Sequence, residues 1–394
     1  MVRRSVEEHA SHIRDLLAGL GTTSETVPLA DALGRVTVAA ITSPVDLPLF
    51  RNSQMDGFAV RAADVTSVPV TLPIAGELAA RPLTPAALEP GTAVRIMTGA
   101  VVPDGADAVI PVEDTESLAD TVTIARGRRL GEYVRERGSD TSAGSELLPT
   151  GRTLASRHLA VLAAAGISRV EVRSKVRVAV ITTGAELIGA GETPSLGQIY
   201  DANSVAVVAA VRSAGALVSF TARVTDNVDA MLEALSAAAS LSDVIVTSGG
   251  ISMGDYEVVR EALEPLGASV GHVAMQPGGP QATAHFDGVP VLCFPGNPVS
   301  TQLSFEVFLA PVLRELAGLP ANRHAMRELA AEITSVPGKR QFLRGRYVED
   351  GRVTTVAGPG SHLVAGLAAS DVLIEIPTDT ITLNEGDLVK IWQL

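Results

Sequence analysis

Three short stretches combine glycine with hydroxyl or amide side chains: "TTGAEL" (Thr182–Leu187), "TSGGISMGDYE" (Thr247–Glu257) and "FPGNPVS" (Phe294–Ser300). Glycine lets a backbone approach a phosphate closely, and consecutive N–H groups form an anion-binding concavity. A helix starting directly after such a turn adds its dipole, roughly 0.3–1 kcal/mol at an exposed site. One turn of this kind says little, because tight strand-to-helix connections need glycine anyway. Three in one region are harder to dismiss and point to phosphate chemistry. Acidic residues gather at the same places: Glu186, Asp201, Asp226, Asp255 and Glu257. Carboxylates beside an anion make sense if a divalent cation lies between them, since hard cations take oxygen ligands. Equally, Asp201 and Asp226 read as helix-start residues and Glu257 as a first-turn acid.

A fourth stretch, "AMQPGGPQATAHF" (Ala274–Phe286), has the glycines and prolines of an anion loop but no lysine or arginine, and the nearest cation is His272. It reads either as an anion site without its charge or as a turn between strands. "RNSQMDGFAVR" (Arg51–Arg61), "RIMTGA" (Arg95–Ala100) and "GSDTSAGSELLPTG" (Gly138–Gly151) place aspartate or threonine among glycines in the first half of the chain. There is no Walker loop, GxSxG elbow, zinc spacing or dinucleotide fingerprint. The single cysteine, Cys293, sits in "VPVLCFPG", a buried-strand pattern without a basic neighbour, which argues against a cysteine nucleophile and against disulfides.

The elements that must position these turns follow from the patterning. From Lys175 onward, β-branched runs alternate with helical segments: "KVRVAVITTG", "DANSVAVVAAVRSAGA" (N-cap Asn203 or Ser204), "LVSFTARV", "NVDAMLEALSAAAS", "DVIVTSGG" and "DYEVVREALEPLG". This predicts a mostly parallel sheet covered on both faces, with ligands beyond the carboxyl ends of its strands. A hairpin, "ATAHFDGVPVLCF", leads to the helix "TQLSFEVFLAPVLRELAG". Residues 41–140 alternate apolar and polar at period two and predict a β-rich insertion. Residues 1–40 with 141–173 predict a mixed, helical N-terminal domain containing a second short helix in "LADALGRVTVA". Residues 174–319 form the α/β domain, and 320–394 a small C-terminal β-barrel. The fold class is thus multidomain α/β with β-rich domains.

A net charge of −13 argues against nucleic acid as the main partner. No apolar run reaches the ~20 residues of a membrane span, and no signal peptide is evident, so a cytoplasmic address is expected. Lysine occurs only at positions 175, 339 and 390, so the chain strongly prefers arginine. The basic cluster of "ARGRRLGEYVRERG" reads as a solvated, twisted hairpin.

Taken in order, "NSQMDGFAVR", "RIMTGA", "VRERGSD", "ITTGAEL", "GQIYDANS", "TSGGISMGDYE" and "FPGNPVS" resemble the molybdopterin molybdenumtransferases, the MoeA and gephyrin E-domain family, across nearly the whole chain. The resemblance implies a homodimer of four-domain subunits, one domain being similar to molybdopterin adenylyltransferase. It implies insertion of molybdate into adenylylated molybdopterin with release of AMP, assisted by Mg2+ or a similar divalent cation. Molybdopterin adenylyltransferase is then a further partner.

Carried over residue by residue, Asp56, Thr98, Asp140, Glu186 and Asp226 take the catalytic positions, with Glu186, Asp226 and Glu257 as metal ligands. Thr183, Gly184, Asp201, Ser248, Gly249, Gly250, Pro295, Gly296, Asn297 and Pro298 would hold the pterin and its phosphates, together with Arg135, His272, Arg344 and Ser361. Asp56, Thr98, Arg135 and Asp140 match positions that reach the partner's cleft. Two departures stand out. Ala185 replaces an acid of the family, and the usual lysines of "K-x-x-x-K-P-G-K-P" are His272, Gln276 and Gly279 here. A lost charge-assisted contact to an oxyanion is worth about 1.5–3 kcal/mol. The site would therefore bind its anion more weakly, or use His272 or an arginine from the other subunit. A non-catalytic carrier or scaffold, and a molybdopterin adenylyltransferase, are the alternative readings.

Overall fold

The computed structural model describes residues 2–251 and 257–394, so Asp255 and the middle of "TSGGISMGDYE" lie outside the described residues. The chain divides into two compact units, one of residues 1–25, 34–36 and 172–394, the other of residues 26–33 and 37–171.

The first unit is built on a seven-stranded sheet. Its elements are β1 (Val2–Arg4), α1 (Val6–Leu16), β2 (Arg177–Thr183), α2 (Ala202–Ser213), β3 (Leu217–Val224), α3 (Val228–Leu241) and β4 (Val244–Ser248). They continue with α4 (Val258–Leu263), β5 (Ser269–Val273), β6 (Met275–Gln276), β7 (Pro280–Phe286) and β8 (Val289–Phe294). The sheet order is β1-β5-β7-β8-β4-β2-β3, and β8, β4, β2 and β3 run parallel.

Strand periodicity explains the two cores. Val178 and Val180 of β2, Val244 and Val246 of β4, and Leu292 and Phe294 of β8 face one side, packed against α1, α2 and the helix after β8. Ala179, Ile181, Ile245, Val291 and Cys293 alternate with them and face α3 and α4. Side chains buried on both faces require near-continuous apolar strands, which is what these sequences supply.

Capping fixes the helices. Ser5 accepts from the Glu8 N–H at 3.1 Å while Glu8 accepts from the Ser5 N–H at 2.7 Å, a reciprocal pair that starts α1. Asn227 accepts from the Ala230 N–H at 2.9 Å and starts α3. The helix after β8 begins as α5 (Pro298–Ser304), passes through a π-helical segment at Phe305–Leu309 and ends at Ala310–Leu316.

The C-terminal region adds β9 (His324–Glu328), β10 (Arg340–Tyr347), β11 (Val353–Thr355), α6 (Val364–Ala368), β12 (Val372–Ile376) and β13 (Leu388–Gln393). Here the sequence predicts a small barrel. The strands run in the order β6-β10-β12-β13-β9 with β11 on β10, and Leu329, directly after β9, bridges Val353 of β11, so the ring β11-β10-β12-β13-β9 closes as that barrel while β6 adds to the start of β10.

The second unit carries a six-stranded sheet in the order Ala108–Pro111, Gly57–Val60, Ala93–Ile96, Val70–Leu78, Thr121–Ile124, Thr115–Leu118. The short helix expected in "LADALGRVTVA" is only the 3-10 turn Leu29–Asp31, since Gly34 takes a left-handed φ of 74° and ends it.

Candidate functional site

The carboxyl ends of β2, β4 and β8 open into a cleft of about 1100 Å³. Each end contributes its glycine turn. At Gly249, φ is +98° and a Cβ would lie 2.8 Å from the Thr183 carbonyl oxygen, so the backbones of two turns touch where only glycine fits. A Cβ on Gly296 would in turn approach the Gly249 Cα to 3.2 Å. The three turns thus form one floor.

Hydroxyls and amides tie that floor together. Asn203 donates to Ser248 Oγ at 3.0 Å and to the Gly296 carbonyl at 2.7 Å. Ser248 and Thr301 hydroxyls pair at 3.0 Å, and Thr301 donates to the Pro295 carbonyl at 2.5 Å. Two polar atoms of the lining remain over. Thr183 Oγ1 and Asn203 Oδ1 are buried and have no hydrogen-bond partner among the described residues. A buried polar atom without a partner is costly unless a ligand or water satisfies it.

The acids resolve into different roles. Asp201 is the N-cap of α2, accepting from the Ser204 N–H at 3.0 Å, while its other oxygen accepts from the Thr182 hydroxyl at 2.6 Å. The cap is therefore Asp201 and not Asn203 or Ser204. Its carboxylate is 7% exposed and both oxygens are engaged, so it organises the floor. Asp226 leaves the helix cap to Asn227 and accepts from the Ala185 N–H at 3.2 Å, binding the ends of β2 and β3 together. Glu186 lies exposed over Gly184, its carboxylate 2.6 Å from where a Cβ would stand. Among the described residues no three His, Cys, Asp or Glu side chains converge on one point, so Glu186, Asp226 and Glu257 do not form a preformed three-carboxylate cage.

The rim opposite is β6 and the loop after it. Gln276 accepts from the Gln341 side-chain amide at 2.9 Å across the β6–β10 pair. At Gly279, a Cβ would stand 2.3 Å from His272 Cε1, so the imidazole occupies the space of a side chain at 279. Lys339, Ser361 and His362 complete the rim from the C-terminal region. The Ser361 carbonyl accepts from the Val299 N–H at 3.0 Å, which fixes this loop on the start of α5.

Against this geometry the comparisons are decisive. The MoeA N-terminal region (domain I and II) matches residues 4–166, a "Probable molybdopterin binding domain" matches 179–315, and the MoeA C-terminal region (domain IV) matches 327–394. A molybdopterin molybdenumtransferase 2 of Mycobacterium tuberculosis is 40% identical over 99% of this chain and 100% of the relative. The chain belongs to the MoeA family. Molybdopterin molybdenumtransferase 1 of the same organism is 33% identical over 98% of both chains. Among solved MoeA structures, a molybdopterin biosynthesis MoeA protein of Pyrococcus horikoshii superposes with a TM-score of 0.85 at 31% identity, over 100% of this chain and 99% of that one.

Most residues that the MoeA resemblance singles out come together in the cleft: Thr183, Gly184, Glu186, Asp201, Asp226, Ser248, Gly249, Gly250, Glu257, His272, Pro295, Gly296, Asn297, Pro298 and Ser361. Arg344 does not line it. Only 2% exposed, it donates to the Gly358 carbonyl and, at 3.1 Å, to the Gly360 carbonyl, so it shapes the loop that presents Ser361. Burial lowers its pKa. Asp56, Thr98, Arg135 and Asp140 belong to the second unit. There Asp56 accepts from both the N–H (2.6 Å) and hydroxyl (2.7 Å) of Thr98, and these hydrogen bonds lower its pKa. At the neighbouring Gly57 a Cβ would meet the Ile110 carbonyl at 1.9 Å, so the paired strand approaches there as only glycine allows. Arg135 donates to Asn52 at 3.4 Å, and Asp140 is exposed.

Sequence reasoning missed Lys339, His362 and the structural part of Asn203. The only signal for Lys339 was its rarity, one of three lysines in the chain. Cys293 is fully buried, and burial pushes its thiol up to about 12, so the MoeA-family chemistry here has no cysteine nucleophile.

Proposed function

We propose that this protein is a molybdopterin molybdenumtransferase, which joins molybdate to adenylylated molybdopterin and releases AMP in molybdenum cofactor biosynthesis. The observation that carries the reading is the cleft floor. Three glycine turns meet there at the ends of parallel strands, with Thr183 Oγ1 and Asn203 Oδ1 left for a ligand. Backbone N–H groups and hydroxyls in such a floor hold phosphate oxygens and position the phosphoanhydride. Glu186 and Asp226 stand at its edge, where they orient the adenylylated substrate and take or give protons as AMP departs.

Mg2+ is ordinarily held by one or two carboxylates together with substrate phosphates and waters. Glu186 and Asp226 fit that mode without a third protein ligand, and Glu257 lies along the same lining. When bound, such an ion supplies charge neutralisation of the departing phosphate. Asp56, Thr98, Arg135 and Asp140 complete the cleft of a second subunit in a homodimer. The same reading gives each subunit four domains, places the protein in the cytoplasm and has it take its substrate from a molybdopterin adenylyltransferase. No helix among the described residues is long and apolar enough to cross a membrane.

The test is reconstitution of purified protein with adenylylated molybdopterin, molybdate and Mg2+. AMP release coupled to formation of active cofactor is the expected result. Tight pterin binding without AMP release would replace this reading with that of a carrier.

A further inference from the structure

The loop that forms the rim of the cleft, Ala274–Phe286, carries no lysine or arginine, yet the cleft is not without a fixed cation. Of the residues that line it, Lys339 is the one with a permanent positive charge. It stands immediately before β10, where the Arg340 N–H donates to the Ala274 carbonyl at 2.8 Å and Gln341 pairs with Gln276. Arg340 is bound to Glu7 and, at 3.2 Å, to Glu375. Gln341 reaches Gln276 on the rim, and Lys339 lines the same cleft.

Lys339 is partly exposed and makes no ion pair with any described residue, whereas Lys390 is held by Glu375 at 2.9 Å. The space where a lysine at 279 would start is filled by the His272 ring. Position 279 is therefore closed to a longer side chain, and the cation stands in the turn before a strand that docks against the same loop.

We propose that Lys339 is the oxyanion-binding cation of this cleft, and that it supplies the fixed positive charge that the rim loop itself lacks. Its ligand is a tetrahedral oxyanion, either molybdate or a phosphate group of the pterin substrate. This rests on the proposed molybdenumtransferase function. A flexible ammonium binds such a group as a point charge, without the planar fork that arginine offers. Its retention as lysine in a chain with 28 arginines (31 basic residues less 3 lysines) agrees with that use.

The experiment measures, on the full chain, calorimetric binding of molybdate alone, binding of adenylylated molybdopterin, and AMP release. It compares wild type with K339Q, K339R and, as a charge control outside the cleft, K175Q. Loss of one charge-assisted contact predicts weakening on the order of 10- to 100-fold in K339Q. K339R should recover most of the affinity and K175Q should match wild type. A loss confined to the molybdate arm makes molybdate the ligand, and a loss confined to the pterin arm makes it the phosphate. Wild-type affinities in K339Q for both overturn the proposal and leave the function standing. Equal weakening in K339Q and K175Q also overturns it, since net charge alone would then be acting. A wild-type protein that binds neither probe and releases no AMP overturns the function and this proposal together.

Discussion

The floor and the rim of the cleft are built on different principles. The floor is made of backbone: Thr183, Gly249 and Gly296 bring three turns into contact, and Asp201, Asn203, Ser248 and Thr301 lock them by short hydrogen bonds. The rim is made of side chains that arrive from separate elements, with His272 over Gly279, Gln276 against Gln341, and Lys339 from the C-terminal sheet. Backbone donors cannot be moved without breaking the turns. A charge can be moved, because a long side chain on any adjacent strand reaches the same few cubic ångströms. Floors of this kind should therefore tolerate little change, whereas rims can be rewired.

The largest effect is expected at the edge of the floor. Glu186→Ala should lower AMP release by about 100-fold or more while thermal unfolding and oligomeric state stay those of wild type. Turnover near wild type would remove Glu186 from the site.

Next comes the lock itself. Asp201→Ala takes away the α2 cap and leaves the buried Thr182 hydroxyl without its acceptor, which should cost about 2–3 kcal/mol in urea unfolding. Asp201→Asn should recover much of this. A loss below about 0.5 kcal/mol would mean that the floor does not depend on the lock.

A smaller effect follows from the scaffold beneath. His9 is 2% exposed, packed edge-on against Phe308 at 4.7 Å between ring centroids, and burial lowers its pKa to about 3. The unfolded chain then binds a proton that the folded chain refuses. Stability should be full above about pH 6.5 and fall by up to about 1.4 kcal/mol per unit as pH drops toward 3. His9→Leu should flatten that part of the urea-midpoint profile, and an unchanged slope in the variant would assign it to other groups.

The rim gives the smallest expected change. Gly279→Lys alone should not raise molybdate affinity, because its Cβ meets the His272 ring; Gly279→Lys with His272→Ala should raise it several-fold. A gain in the single variant, read by calorimetry, would mean that His272 moves aside freely and that the contrast between floor and rim is weaker than the geometry implies.

Much of this was legible in the chain. The alternation in "KVRVAVITTG" and "DVIVTSGG" requires buried parallel strands, and their polar glycine ends mark where a ligand goes. The motif order brought fifteen cleft residues to notice before any geometry was known. What stayed hidden has physical causes. The competition between cap and ligand roles at Asp201 and Asp226 depends on one or two hydrogen bonds that residue types alone do not choose. Arg344 carries a charge that reads as anion-binding, but its guanidinium is turned to the Gly358 and Gly360 carbonyls. The pairing of β6 with β10, which joins the α/β sheet region to the C-terminal barrel, links segments far apart in the chain and leaves no local pattern.

The sequence by itself determined the strands, the glycine turns at their ends and the family of the chain, because each depends on neighbours a few residues apart. Only the tertiary structure brings a cation to the cleft. Lys339 and Gln276 are 63 positions apart, and both line it because β10 pairs with β6. Local patterning fixes where backbone N–H groups point, whereas the placement of a charge depends on which distant strand docks beside it.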